Sequence, residues 1–175
     1  PKPKTGAIIG SDILFTSLAC EGYKKYAAQN GIEIILFELF PITLQDYNSM
    51  LLKVKQKNPE ILFVGSHLMV AMKTIKAMKE IDFTPKMVTF SYGPTVPDFV
   101  KSLGKDAEYV VAASEWAPSL PYKDPLFGTA KQFNENYFKR YGRYPDYVEA
   151  ASAAGAYAMQ VAIEKLGIIP PVKEE

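Results

Sequence analysis

The sequence predicts an α/β fold, a doubly wound parallel sheet with two extra C-terminal helices. Two observations predict it. Short apolar runs alternate with longer amphipathic segments up to about residue 113, which is the order of strands and crossover helices in a parallel sheet. Beyond that point, two helical segments follow each other without a strand between them.

The first strand, helix and second strand cover residues 5–40. Residues 5–10 form an apolar run typical of a buried parallel strand, and Ser11–Asp12 is a helix-start signal. Residues four apart then share one helical face: Leu14, Leu18, Gly22 and Tyr26. Asn30–Gly31 ends this helix, and the second strand follows.

The next helices follow the same scheme. Residues 43–46 have the spacing of a capping box, and Asn58–Pro59 ends the second helix. Its apolar stripe is Tyr47, Leu51 and Val54, and that of the third helix is Leu68, Met72, Ile75 and Met78. The remaining elements are strands at 60–65, 86–90 and 107–113 and a short helix at 96–103.

The pattern changes after the fifth strand. Residues 115–126 form a long proline-containing loop, and residue 118 within it is the best candidate for a domain boundary. One helix then carries Ala130, Phe133, Tyr137 and Tyr141 on one face, and a second, rich in small residues, spans 146–166. We expect the tail at 168–175 to be frayed.

Composition excludes several classes of function. Of 175 residues, 48% are hydrophobic and 22% charged, and the net charge is +1, so nucleic acid and anionic membranes are not expected partners. The single cysteine, Cys20, forbids an internal disulfide and is expected in the core. No apolar run approaches the roughly 18–20 residues of a membrane span.

Motifs for catalysis, metals and cofactors are absent. The sequence has no phosphate loop, no dinucleotide fingerprint after the first strand and no nucleophile elbow. His67 is the only histidine, and no motif places a serine to partner it. We therefore expect no catalytic residues, no metal site and no cofactor.

Ligands of open parallel sheets bind beyond the carboxyl ends of the strands. This rule selects five segments, 11–15, 41–42, 66–68, 91–94 and 114–116. The predicted ligand contacts within them are Phe15, Ser66, His67, Ser91, Tyr92, Gly93 and Trp116. Structural roles remain open for them: a core ring, a helix terminus, a turn or a loop anchor. Ser11 is more simply explained as a helix cap.

Several stretches carry a family resemblance. Residues 109–122 and 133–147 resemble the periplasmic leucine/isoleucine/valine-binding protein family, which are type I solute-binding receptors of ABC transporters. The opening segment with Ser11–Asp12 and Phe15, and residues 46–65, are similar to it too. The resemblance extends from Lys4 to Gly167.

The resemblance implies two α/β lobes that clamp a small solute and dock on an ABC permease. Residues 1–118 would be the second lobe, and 119–175 the crossover loop and helices that return toward a first lobe missing from this fragment. A periplasmic or cell-surface location is implied, although the chain carries no signal peptide. Phe15 and His67 fall at ligand-facing positions. Tyr92 falls near the place where amino-acid binders of this family have an acidic residue that pairs with the ligand's ammonium. Because that carboxylate is missing here, an organic acid or an amide is as plausible a ligand as an amino acid.

Three functional interpretations remain: a transporter's solute-binding component, the sensing half of a receptor or regulator with the same fold, and, more distantly, an α/β enzyme. The helices at 127–166 would lack their partner sheet in this chain. We therefore expect a homo-oligomer that buries them.

Overall fold

The computed structural model describes residues 2–167, so the predicted tail at 168–175 lies outside the described residues. A five-stranded parallel sheet has the order β2-β1-β3-β4-β5. Its strands are β1 Thr5–Ser11, β2 Glu33–Phe40, β3 Ile61–Gly65, β4 Met87–Phe90 and β5 Val110–Ala112. The predicted α/β class and parallel sheet are confirmed.

Helices connect the strands. They are α1 Leu14–Gln29, α2 Tyr47–Lys57, α3 Leu68–Glu80 and α4 Pro97–Leu103, followed by a 3-10 turn at Gly104–Ala107. After the sheet come a small antiparallel hairpin, β6 Lys123–Asp124 and β7 Gly128–Thr129, and the helices α5 Ala130–Tyr141 and α6 Tyr147–Leu166. The two extra C-terminal helices are therefore present.

Both faces of the sheet are covered. Ala7 and Ile9 of β1 belong to the main core, which also contains Leu51 of α2 and Ile75 of α3. Ile8, which points to the opposite face by the two-residue period of a strand, is also fully buried. The helix on that second side is α1, and the sheet is doubly wound as predicted.

The strand order creates a switch point between β1 and β3. From β1 the chain passes through α1 to β2 on one side, and from β2 it returns through α2 to β3 on the other side of β1. Loops that leave β1 and β3 diverge there, so a crevice opens beyond the carboxyl ends of these strands.

The predicted beginning and face of α1 are corrected. Leu14, Leu18 and Tyr26 share a face, but it is the exposed one, with 80%, 63% and 62% of their surface accessible. The buried face carries Thr16, Cys20 and Ala27 instead, because small residues let α1 approach the glycines of β1 and β3. Ser11 is no helix cap: it is the last residue of β1.

Three further local predictions were wrong. Helix α2 is capped by Asp46, whose side chain accepts the N–H of Ser49 at 2.9 Å, so no capping box begins at Thr43. The fifth strand is shorter than predicted, because a 3-10 turn ends at Ala107 and Tyr109 has a φ of 63°. The loop predicted at residues 115–126 contains β6, and β7 follows it; the sequence predicts neither strand, because each has only two residues.

The chain divides into two compact units between Ala113 and Ser114. In the second unit, capping boxes begin both helices: Thr129 with Gln132 for α5, and Asp146 with Glu149 for α6. The predicted aromatic face of α5 is a row of rings in which Tyr137 and Tyr141 have centroids 4.4 Å apart. Within residues 2–167, no helix is both long and apolar enough to cross a bilayer.

Candidate ligand-binding site

Three aromatic side chains meet beyond the carboxyl ends of the sheet. Phe15 lies in the first turn of α1, His67 between β3 and α3, and Tyr92 two residues after the end of β4. The rings of Phe15 and His67 are stacked, with centroids 5.3 Å apart and an interplanar angle of 26°. Tyr92 meets His67 edge-on at 5.8 Å. The imidazole therefore contacts both rings at the switch point.

A hydrogen-bond network joins the ends of β3 and β4. The hydroxyl of Ser66 donates to the carbonyl of Tyr92 at 2.7 Å, and the N–H of Ser66 donates to Oγ of Ser91 at 3.0 Å. Ser66 is fully buried. These two serines fix the turn that presents His67 and Tyr92.

Gly93 allows this turn to approach α3. Its φ of 117° belongs to the region that favours glycine, and a Cβ there would lie 2.9 Å from Cβ of Ala71 and 3.1 Å from Cα of Leu68. A side chain at this position would push the loop of Tyr92 away from α3. Gly93 therefore sets the distance between Tyr92 and the helix that follows His67.

A cavity of about 330 Å³ lies beside the ring cluster, within the size range of small-ligand pockets. Its lining residues are Ile42, Tyr47, His67, Leu68, Met69, Val70, Lys73 and Tyr92. Ile42, His67, Leu68 and Tyr92 lie in the strand-end segments selected from the sequence. Tyr47, Met69, Val70 and Lys73 were missed as site residues. The signal for the last three was their place in the first two turns of the helix after β3.

The charge of this lining is positive. Lys73 is partly buried, and its ammonium lies 5.6 Å from the centroid of the Tyr47 ring. No aspartate or glutamate is among the described residues that line the cavity. Burial raises the pKa of Tyr47, so its phenol stays neutral in the physiological range.

Polar groups without protein partners face the same edge of the sheet. In the part of the chain that the structure describes, the ring nitrogens of His67 have no hydrogen-bond partner. Helices α1 and α3 begin here, and neither Ile13 nor His67 caps them with a side chain. Their first-turn N–H groups therefore remain available to solvent or a ligand.

The structure brings six of the seven predicted contact residues together in the first unit. Trp116, the seventh, belongs to the second unit, where its indole meets the ring of Phe133 edge-on at 5.8 Å. There it lines a separate, mainly apolar cavity of about 590 Å³ that includes Phe127 and the alanine face of α6. Among residues 2–167, no group of three His, Cys, Asp or Glu side chains is arranged to hold a metal ion.

Solved structures resemble this fold closely. An amino acid ABC transporter substrate-binding protein from Pseudomonas fluorescens matches with a TM-score of 0.78 and 20% identity over 96% of this chain and 44% of that one. A leucine binding protein from Thermotoga maritima matches with a TM-score of 0.81 and 17% identity, over 94% and 46%. A leucine-, isoleucine-, valine-, threonine- and alanine-binding protein from Brucella ovis, in a closed conformation, matches with a TM-score of 0.73 and 20% identity. The match covers 97% of this chain and 41% of that one.

At these identities the likeness shows the fold, that of type I periplasmic binding proteins, and the chain spans less than half the length of each of these structures. A family model described as periplasmic binding protein matches residues 1–173. This chain belongs to the periplasmic binding protein family.

Proposed function

We propose that this chain supplies one side of the ligand site in the solute-binding component of an ABC transporter. The component would clamp an amino acid or a related small organic solute between two lobes. The observation that carries the proposal is the ring cluster of Phe15, His67 and Tyr92 beside a cavity of about 330 Å³ at the switch point.

The proposal assigns different tasks to the predicted contacts. Phe15, His67 and Tyr92 contact the solute, because their rings offer contact area and His67 has unpaired ring nitrogens. Ser66, Ser91 and Gly93 contribute by holding the turn that follows β4 against α3. Trp116, in the second unit, is the remaining proposed contact.

In the domain arrangement we propose, residues 1–118 are the second lobe and 119–175 the crossover loop and helices that return toward a first lobe. Closure around the solute would create the surface that docks on the ABC permease, outside the cytoplasm. One lobe provides only part of such a site, so we expect the chain alone to bind weakly.

The side chains of the two helices in the second unit are largely exposed. No residue of α6 in the described chain is buried, and in α5 only Ala130 is. We propose that the chain forms a homo-oligomer through residues 127–166.

The sole histidine provides the test of solute binding. Its ring Cε1–H gives a single NMR signal, which we expect to shift saturably with at least one of leucine, isovalerate and isovaleramide. Phe15→Ala should weaken that binding about tenfold, because it removes one stacking face. Val100→Ala, an exposed apolar truncation on α4, is the matched control and should leave it unchanged.

Two outcomes would count against the proposal. One is that none of the three solutes moves the His67 signal at high millimolar concentration. The other is chemical conversion of ester or amide substrates that disappears in His67→Ala, which would favour an enzyme.

A further inference from the structure

We infer that this half of the site recognises a carboxylate on the ligand, through Lys73 and His67, and packs the ligand's apolar body against the surrounding side chains. The inference rests on the proposed function and names the class of ligand: a small organic acid with an apolar body. It makes Lys73 a specificity-determining residue.

The charge of the cavity carries the inference. Lys73 lines it, is partly buried, and forms no ion pair with any carboxylate of residues 2–167. Its contact is the face of the Tyr47 ring, which leaves the ammonium hydrogens able to donate. A partly buried ammonium without a carboxylate partner favours an anion over a neutral or cationic ligand.

His67 adds a second donor. It lines the same cavity, and its ring is held by contacts with the rings of Phe15 and Tyr92, while its nitrogens have no hydrogen-bond partner in the described chain. An N–H of a fixed imidazole can donate to a carboxylate without further ordering of the ring. The amino end of α3 adds partial positive charge on the same side.

The remaining lining suits an apolar body. Ile42, Leu68, Met69 and Val70 are apolar, and Tyr47 and Tyr92 offer aromatic surface. Burying such a body removes apolar surface from water, so these side chains add affinity without selecting charge.

Among the described residues that line the cavity, none offers a ligand ammonium a comparable partner. Two carboxylates lie in the loops that follow β1 and β2. Asp12 is exposed and accepts from the hydroxyl of Ser17 at 3.5 Å, and Asp46 is exposed and caps α2, where it accepts the N–H of Ser49 at 2.9 Å. Neither Asp12 nor Asp46 is among the described residues that line the cavity. A cationic ligand would instead meet Lys73, and like charges would repel it.

The experiment uses the full chain and three probes of similar shape: benzoate, benzamide and benzylammonium. The His67 ring signal is followed by NMR at neutral pH. Benzoate should bind about tenfold more tightly than benzamide, because a charge-assisted hydrogen bond is lost with the amide. Benzylammonium should bind more weakly still. Added salt should weaken the binding of benzoate and should not weaken that of the other two probes.

Variants on α3 separate the charge of Lys73 from its packing. Lys73→Met keeps the length of the side chain and should bring benzoate down to the affinity of benzamide, while Lys73→Arg should keep the preference. Lys76→Met removes an exposed lysine from the same helix and should change nothing.

The outcomes distinguish the two proposals. Benzamide or benzylammonium binding as tightly as benzoate, or a benzoate preference that survives Lys73→Met, would overturn the inference and leave a solute site in place. Loss of benzylammonium binding in Asp12→Asn would likewise assign the selective charge to Asp12. If none of these three probes and none of the three solutes above moves the His67 signal, the proposed function fails together with the inference.

Discussion

The sulfur of Cys20 occupies the space that a side chain on Gly10 would need: a Cβ built on Gly10 would lie 2.4 Å from Sγ of Cys20. The cysteine is fully buried, and its Sγ lies 3.6 Å from the carbonyl oxygen of Ile9. Burial raises the pKa of this thiol to about 11. The contact sets how closely α1 approaches β1, and so where Phe15 stands at the switch point.

We predict that Gly10→Ala destabilises the protein by about 1–3 kcal/mol and that Cys20→Ala in the same chain relieves much of this loss. The next neighbour of the added methyl, the carbonyl oxygen of Gly65 at 3.2 Å, is less restrictive than the sulfur. Urea unfolding of the single and double variants measures the coupling.

Gly65→Ala is the contrasting variant. Its Cβ would lie 2.5 Å from the same sulfur but also 2.7 Å from the backbone oxygen of Thr16, which no side-chain change removes. Cys20→Ala should therefore rescue Gly10→Ala and not Gly65→Ala. Two results would refute this packing argument. One is that the stability losses of Gly10→Ala and Cys20→Ala simply add in the double variant, and the other is that Cys20→Ala restores stability equally to Gly10→Ala and Gly65→Ala.

Ser66→Ala should destabilise the chain by about 1–3 kcal/mol, because the carbonyl of Tyr92 loses the hydroxyl that donates to it at 2.7 Å. The same change should weaken ligand binding, since Tyr92 then loses its fixed position beside His67. Thermal unfolding and the His67 signal report the two effects. Ser102→Ala on the exposed side of α4 is the control. Unchanged stability would mean that the turn is held by other contacts.

The sequence predicted the sheet well because burial in a parallel sheet requires continuous apolar strands, as in β1 and β3. It could not predict which face of α1 packs inward. Leu14 and Leu18 are more apolar than Thr16, yet the sheet beneath α1 presents Gly10 and Gly65, which favour Cys20 and Thr16.

The candidate site was predictable only in part. Residues in the loops just after strands, such as His67 and Tyr92, can be selected from the order of elements. Lys73 could not, because its place in the cavity depends on the packing of α3 beside α2, where Tyr47 meets its ammonium. Side chains one or two turns into a helix reach a site only through such tertiary packing.

We predict that protonation of Glu60 lowers the stability of the protein in acid. Its carboxylate accepts the N–H of Lys4 and pairs with the ammonium of Lys86, and these contacts lower its pKa from 4.5 to about 2. A lowered pKa in the folded state stabilises the protein above the unfolded value, and this contribution disappears as the pH falls from 4.5 to about 2.

The free energy of unfolding, measured across this pH interval, should therefore change less with pH in Glu60→Gln than in the parent chain. Glu33→Gln is the control, because Glu33 is exposed and forms no ion pair within residues 2–167. An identical pH dependence in the parent and Glu60→Gln would rule out Glu60 as its source.

We expect the chain to self-associate through residues 127–166. Helix α6 leaves Met159 and Leu166 exposed at 68% and 67%, and its alanine face lines a cavity with Trp116 and Phe133. Burying apolar surface contributes about 25 cal/mol per Å², so a second copy that covers this face gains free energy from the contact. Light scattering should therefore show a homodimer or a larger oligomer at micromolar concentration.

Glutamate substitutions on α6 locate the interface. Ala154→Glu places a charge on the face that lines the cavity and should shift the protein toward monomer, because an unpaired carboxylate is costly to bury. Ala156→Glu puts the same charge on the helix away from that lining and should leave the oligomer intact. The contrary result is a parent chain that stays monomeric at high micromolar concentration, with Phe133 and Tyr137 protected from solvent. The helices would then belong wholly to this unit, and the lobe boundary near 118 would be misplaced.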